Sequence, residues 1–402
     1  MRNDFPFFKQ QVHDRNIIYF DNAATTQKPQ VVLDALINFY TKVNANIHRA
    51  VYHHAELATQ EYETARATLA AFIHADPSEI VFTRNATEGI NIVATSWLLP
   101  WCKPGDEIVL TALEHHANLL PWYEIARVMG IVIKLVPLEK DGTITAQKIA
   151  SYITPRTKLV SIVHHSHVTG ARLPIAEITA YAHAMGAYIL VDAAQSIAHQ
   201  SIDVQKLNVD FLVFSGHKMV GPTGIGVLYV AKRTHDMIKP YQWGGGMVKS
   251  VQLPSPIVTQ EIPHKLEAGT PSIAQAIGLA AAVRYLNFFD REAMQQHEAS
   301  LCAQLLKGLQ QFSRIHIVGP QDELVVSGHL VSFWIEGIHA HDAAWYLDRF
   351  GIAVRAGNHC AQPLIEALGG NPLLRVSFFW YNMSEEVDQF ISALEQLLHD
   401  FP

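Results

Sequence analysis

The sequence predicts an α/β fold, a mainly parallel sheet with helices on both faces, followed by a smaller α+β unit. Short apolar runs alternate with helical periods through the first two thirds of the chain. Polar and small residues recur where those runs end, and from Leu330 the order becomes strand, helix, strand, short helix, strand, helix. Near-continuous apolar strands separated by helices are what a parallel sheet covered on both faces requires. The 402 residues, 49% hydrophobic, suffice for one large core and one smaller one. We expect a large unit over 15–284 and a small unit of 1–14 with 285–402.

Taken in order, 17–20 is a short strand running into Asp21-Asn22-Ala23-Ala24-Thr25-Thr26, a small-residue turn that can approach a ligand closely. Helices are expected over 31–42 and 58–73. The segment 46–54 between them is a polar loop with His48, His53 and His54, but no acid or cysteine stands beside them at metal spacing, so no metal is expected. A strand at 79–83 leads through the turn 84–89 into a helix at 90–98. Small and hydroxyl residues at such a turn, Ala86 and Thr87 here, form a natural phosphate cradle, although Thr is also an ordinary helix cap. Strands then fall at 107–110, 132–136, 158–163, 188–191, 211–214 and 227–230, with helices at 118–129, 146–152 and 175–185. A Gly-rich loop at 241–247 and a polar turn at 265–271 precede helices at 273–287 and 292–312, the second with Leu301, Leu305, Leu309 and Phe312 on one face.

Composition narrows the function. Lys+Arg 30 against Asp+Glu 37 gives a net charge of −7 with no basic run, which argues against nucleic acid and anionic membranes as partners. No apolar stretch reaches the roughly 18 residues of a membrane span. The start, Met1-Arg2-Asn3-Asp4, has no apolar signal core. Three cysteines make no disulfide framework. A cytoplasmic protein with reduced thiols is expected.

The chemistry concentrates at strand ends. The run Phe211-Leu212-Val213-Phe214 ends in Ser215-Gly216-His217-Lys218. A lysine at the end of a buried strand can have a lowered pKa and act as an amine nucleophile that forms a Schiff base. A neighbouring run ends in Asp192, with Gln195 just beyond. Lysine and carboxylate together are what pyridoxal phosphate needs, one to hold the aldehyde and one to keep the ring nitrogen protonated. Other polar residues at strand ends are Glu114-His115-His116 and His165-Ser166-His167. Cys360 follows His359 in a Gly-containing loop after Arg355, where a thiol can be accessible and nucleophilic; Cys102 and Cys302 read as packed. Arg375, on an otherwise apolar strand, needs an anion, either a substrate carboxylate or an internal acid.

As a set, Ser215-Gly216-His217-Lys218, Glu114-His115-His116-Ala117-Asn118, Glu267-Ala268-Gly269-Thr270-Pro271 and Arg355-Ala356-Gly357-Asn358-His359-Cys360-Ala361 resemble the group II cysteine desulfurases, related to selenocysteine lyases. The likeness runs from about Asp4 to the C-terminus and implies a fold-type I pyridoxal-phosphate transferase of the class-V aminotransferase superfamily. It implies that Lys218 holds the cofactor and moves protons, that Asp192 pairs with the ring nitrogen, Gln195 with the ring hydroxyl, and that His115 stacks on the ring. It places Ala86, Thr87, Ser215 and His217 at the phosphate, and Thr270 at the phosphate of the partner subunit in a homodimer. Arg375, with Arg355, His167 and Ala23 nearby, takes the carboxylate of L-cysteine, and Cys360 takes its sulfur as a persulfide, leaving alanine. A small SufE-like protein is the implied acceptor, with iron–sulfur cluster assembly one destination. The alternatives are a selenocysteine lyase or other lyase, and a catalytically silent binding subunit. One position departs: Ser166-His167-Val168-Thr169-Gly170 stands where the family has Ser-Asn-x-x-Gly. Because histidine titrates near neutrality, His167 is expected to weaken cysteine binding or make it depend on pH.

Overall fold

The computed structural model describes residues 1–139 and 141–401. Seven strands form the main sheet: β1 Ile80–Thr83, β2 Glu107–Thr111, β3 Val132–Val136, β4 Thr157–Val163, β5 Tyr188–Asp192, β6 Phe211–Ser215 and β7 Gly226–Val230. Their spatial order is β1-β7-β6-β5-β4-β2-β3. Neighbours from β6 to β3 are parallel, and β7 is antiparallel to both β1 and β6.

The apolar runs exist because both faces are covered. Val109, Val160, Ile162, Ile189, Val191, Leu212 and Phe214 pack into one core. Their sequence neighbours Ile108, Leu110, Leu159, Leu190, Phe211 and Val213 pack into another on the opposite face. This two-residue alternation follows from the pleat, and each fully buried side chain of this size stabilises the fold by roughly 1.5–3 kcal/mol. Helices His53–Phe72 and Ile273–Asn287 feed the first core, and Trp122 and Ile125 of Leu120–Met129 the second.

The C-terminal sheet comprises β8 Ile315–Val318, β9 Leu330–Ile335, β10 Arg355–Gly357 and β11 Leu373–Ser377, in the order β8-β9-β11-β10 and antiparallel throughout. Leu301, Leu305 and Leu309 of helix Arg291–Leu309 form a third core with Phe390, Leu394 and Leu397 of helix Ser384–Asp400. Phe312, expected on that helix, lies beyond its end and packs half-buried against the same core. The N-terminal chain crosses to this side: Ile18–Tyr19 pairs in parallel with Ile352–Ala353, and Arg2 meets Glu386 at 2.8 Å.

Two boundaries differ from expectation for a local reason. The long helix starts at His53, so His53 and His54 form its first turn instead of a loop. The helix expected at 90–98 starts at Ala86, because Asn85 Oδ1 accepts the Glu88 N–H at 3.0 Å and caps it. No helix among the described residues is long and apolar enough to cross a membrane.

Candidate active site

The carboxyl ends of β4, β5 and β6 open with the turn after β1 onto one cavity of about 230 Å³. Parallel sheets place ligand sites there because the strand-end loops converge. Ala23, Ala86, Thr87, His115, His167, Asp192, Gln195, Ser215, His217, Lys218, Arg355, Cys360 and Arg375 all line it. Thr270 does not; within this chain it borders separate surface clefts, one with His48, Arg49 and Gly246.

Lys218 sits in the turn that ends β6. Burial lowers its pKa to about 8, although nearby Asp192 pulls the other way. Asp192 ends β5, in register with Val163 of β4 and Val213 of β6. Its Oδ1 accepts the Ala194 N–H at 2.9 Å, and desolvation raises its pKa. Behind the lysine turn, the His217 carbonyl accepts Thr26 N–H at 3.1 Å, Thr25 Oγ1 at 3.0 Å and Lys28 Nζ at 3.0 Å. The N-terminal turn is thereby locked to Lys218 and brings Ala23 to the cavity. Gln195 Nε2 donates to the Ala23 carbonyl at 2.8 Å.

The phosphate-like corner is built from donors. Because Asn85 caps the helix, Thr87 Oγ1 is not used as the cap. Ser215 Oγ accepts the Ala86 N–H at 2.9 Å, which leaves the hydroxyl hydrogen to donate elsewhere. His115 Nδ1 accepts the Ala117 N–H at 3.0 Å, so Nε2 carries the ring proton. Burial and the cations Lys218, Arg355 and Arg375 hold its pKa at about 3, so it is neutral.

On the far side, Arg355 of β10 stands directly opposite Arg375 of β11. Like charges across an antiparallel pair repel unless an anion joins them. Asp21, whose pairing with this arginine the sequence does not mark, supplies part of it: Arg375 Nη2 is 3.2 Å from Asp21 Oδ1. Arg375 Nη1 donates to the His167 carbonyl at 2.8 Å, and its buried Nε has no partner among the described residues. The internal acid and the cavity therefore share one guanidinium.

Cys360 is the exposed cysteine; Cys102 and Cys302 are buried, and burial raises both thiols. His359 does not supply positive charge to the thiol. Its Nε2 donates to the Leu373 carbonyl at 3.2 Å, and burial with Arg375 and Arg355 holds it neutral at a pKa of about 3. His167 is placed where its surroundings bear on the expected pH dependence, not on the strength of cysteine binding. Its Nε2 donates to the His359 carbonyl at 2.8 Å, and burial, His115, Arg375 and Lys218 hold its pKa well below 6.5.

Some motif residues serve the scaffold. Glu114 accepts Thr111 Oγ1 and Asn118 Nδ2, each at 2.6 Å, and the Val163 N–H at 3.0 Å. Glu267 takes the Arg66 guanidinium bidentately at 2.7 and 2.9 Å. Folding also gathers His48, Glu63 and His264 within metal-ligand reach, acids and histidines too far apart in sequence to show as a spacing motif. Glu63 is already held by Arg66 at 2.8 Å and by His48 at 3.0 Å, and the arginine opposes a cation there.

Residues 18–390 match the class-V aminotransferase family model. The chain belongs to the class-V aminotransferase family. A probable cysteine desulfurase of Halalkalibacterium halodurans is 44% identical over 98% of this chain and 96% of its own length. The crystal structure of the Escherichia coli cysteine desulfurase CsdA superposes with a TM-score of 0.92 at 37% identity, covering 100% of this chain and 98% of that one. A mutant of C-DES with glycine covalently linked to its PLP cofactor superposes with a TM-score of 0.83 at 26% identity, covering 98% of both chains. The family match and these likenesses agree with a fold-type I architecture, the mainly parallel sheet and smaller C-terminal sheet described above.

Proposed function

We propose that this chain is a pyridoxal-phosphate-dependent cysteine desulfurase converting L-cysteine to L-alanine, with the sulfur held on Cys360. The single observation that carries the reading is one cavity lined by half-buried Lys218, buried Asp192, the opposed Arg355 and Arg375, and Cys360, the exposed cysteine. The cysteine desulfurases similar to it along their whole length support the same reading.

The residues fit the cofactor on their own chemistry. Asp192 is a buried carboxylate with one backbone donor, and a protonated ring nitrogen completes its neutralisation. Lys218 is an amine poised near neutrality for a carbonyl carbon. Thr87, Ser215 and His217 supply donors for a phosphate. When bound, pyridoxal phosphate supplies an electron sink that allows the Cα–H bond of an amino acid to break and loosens its Cβ–S bond.

The chain's own residues do the rest. Arg375 and Arg355 orient the substrate carboxylate. Lys218 takes the proton from Cα and returns it. Neutral His115 covers the cavity beside Lys218 and holds its Nε2 proton in place. The Cys360 thiolate attacks the substrate sulfur. A bond forms between the two sulfurs, the Cβ–S bond breaks, and Cβ gains a proton. The balance is L-cysteine plus thiol giving L-alanine plus persulfide, with no external oxidant or reductant.

A single turnover with L-cysteine and no reductant tests this. Wild type is expected to give one alanine and a persulfide on Cys360 by mass, and Cys360→Ser neither. Cofactor absorbance without alanine from wild type overturns the desulfurase reading and turns the search to selenocysteine or another amino acid. The protein is further read as cytoplasmic, with a small SufE-like acceptor of the persulfide. It is also read as a homodimer, because Thr270 lies outside this chain's cavity in an exposed turn suited to reach a partner's site. Light scattering of the loaded protein showing only monomer refutes the dimer.

A further inference from the structure

Cys360 sits on a loop held from within by one backbone bond, Ala361 N–H to the Asn358 carbonyl at 2.9 Å. His359 and Cys360 both adopt the left-handed region, at φ 50° and 58°. Residues with a Cβ enter that region at a cost, so two in succession need restraint from outside the loop. The restraint comes from the large unit, on both sides of the thiol. The Cys360 carbonyl accepts the His116 N–H at 2.8 Å. The preceding carbonyl, of His359, accepts the ring Nε2–H of His167 at 2.8 Å.

His167 has a second attachment. Its own carbonyl accepts Nη1 of Arg375 at 2.8 Å. One residue thus links the loop that carries the sulfur acceptor to the guanidinium that faces the substrate carboxylate. Its side chain is buried, and its Nε2 is committed to the loop. The ring also meets His115 edge to face, with centroids 4.9 Å apart.

We propose that His167 is a positioning residue that fixes the span between Arg375 and Cys360, and so matches the site to the distance between carboxylate and sulfur in a cysteine-sized substrate. It acts on the loop, not on the carboxylate. This rests on the desulfurase reading above. The reciprocal expectation is simple: loss of the ring donor loosens the thiol but leaves carboxylate binding intact, because the main-chain bond to Arg375 remains.

The experiment compares wild type with His167→Gln and His167→Phe, all loaded with pyridoxal phosphate. Gln can present an amide donor where Nε2 stands, whereas Phe keeps the ring and removes the donor. Three quantities are read: single-turnover persulfide formation on Cys360, the Kd for L-alanine from cofactor absorbance, and deuterium uptake over 355–362. Loss of one buried hydrogen bond predicts that His167→Phe slows persulfide formation about tenfold, while the Kd for L-alanine shifts less than about twofold. Deuterium uptake over the loop rises in His167→Phe, and His167→Gln restores both rate and protection to near wild type. The proposal is overturned if His167→Phe keeps wild-type rate and protection, or if the Kd for L-alanine rises in step with the loss of rate. If His167→Phe does not fold, His167→Asn replaces it, since its shorter amide stops short of the His359 carbonyl. If wild type yields no alanine from L-cysteine, the functional reading fails, and the deuterium comparison alone decides whether His167 holds the loop.

Discussion

At the scale of single residues, Arg375 shows how much a site depends on partners far away in sequence. The strand Leu373–Ser377 is buried, and its one cation is balanced by Asp21, 354 positions away. The same guanidinium lines the cavity opposite Arg355. Lysine at 375 keeps the charge but loses the planar fork that grips a carboxylate while also reaching Asp21 and the His167 carbonyl. A charge-assisted hydrogen bond contributes roughly 1.5–3 kcal/mol, so Arg375→Lys is expected to lower kcat/KM for L-cysteine by about 10- to 100-fold. The loss should fall mainly on KM, because the bond is made to the ground-state carboxylate as well. Steady-state alanine release checks it; an unchanged KM excludes Arg375 as the carboxylate site. The sequence named Arg375 and left its anion open between a substrate and an internal acid. It was silent on Asp21, since nothing local marks an aspartate in a small-residue turn as the partner of an arginine at the other end of the chain.

At the scale of elements, legibility followed burial. Strands covered on both faces carry unbroken apolar runs, and the seven strands of the main sheet stood within a residue of their expected positions. Asp192 and Lys218 of the cavity were legible for a related reason: both follow an apolar run at a strand end. Elements without a buried face were missed. The hairpin Val248–Val251 with Ile257–Thr259 is mostly exposed and broken by Pro254 and Pro256, so neither strand has a pattern to read. Strand Ile315–Val318 is only half-buried at the edge of the small sheet, and helix Gln321–Ser327 is too short for a helical period to repeat. The roles of Glu114 and Glu267 also required the structure, because a motif residue that ties two elements together reads the same in sequence as one that faces a ligand.

At the scale of the whole molecule, a group of buried imidazoles lies between the main sheet and the C-terminal sheet, apart from the cavity. His164 and His165 follow β4, His199 lies beyond β5, and His329 precedes β9. His199 and His329 stack with centroids 4.0 Å apart, and His165 and His329 keep ring nitrogens without partners among the described residues. Arg172, Arg291, Arg375, Glu298, His297 and Cys302 are among the charged or titratable groups around them. His199 Nδ1 meets Glu298 at 2.8 Å; burial raises Glu298 and lowers His199, two shifts whose contributions to the pH dependence of stability have opposite signs. The others are not compensated. Burial holds His164 at about 4, and His165 and His329 well below 6.5. Below pH 6.5 the unfolded chain takes up protons at these positions and the folded chain does not, so stability is lost as pH falls, down to the folded pKa. Between pH 6.5 and 5 each such histidine removes on the order of 1–2 kcal/mol. The melting temperature is therefore expected to drop steeply over that interval, reversibly on return to pH 7.5 if the chain has not aggregated. His165→Phe separates this from general acid lability. It removes a buried ring with two unpartnered nitrogens, so at pH 7.5 it should match or exceed the wild-type melting temperature. At pH 5 it should lose less than wild type. Parallel melting curves for the two proteins between pH 5 and 7.5 would show that the acid response arises elsewhere.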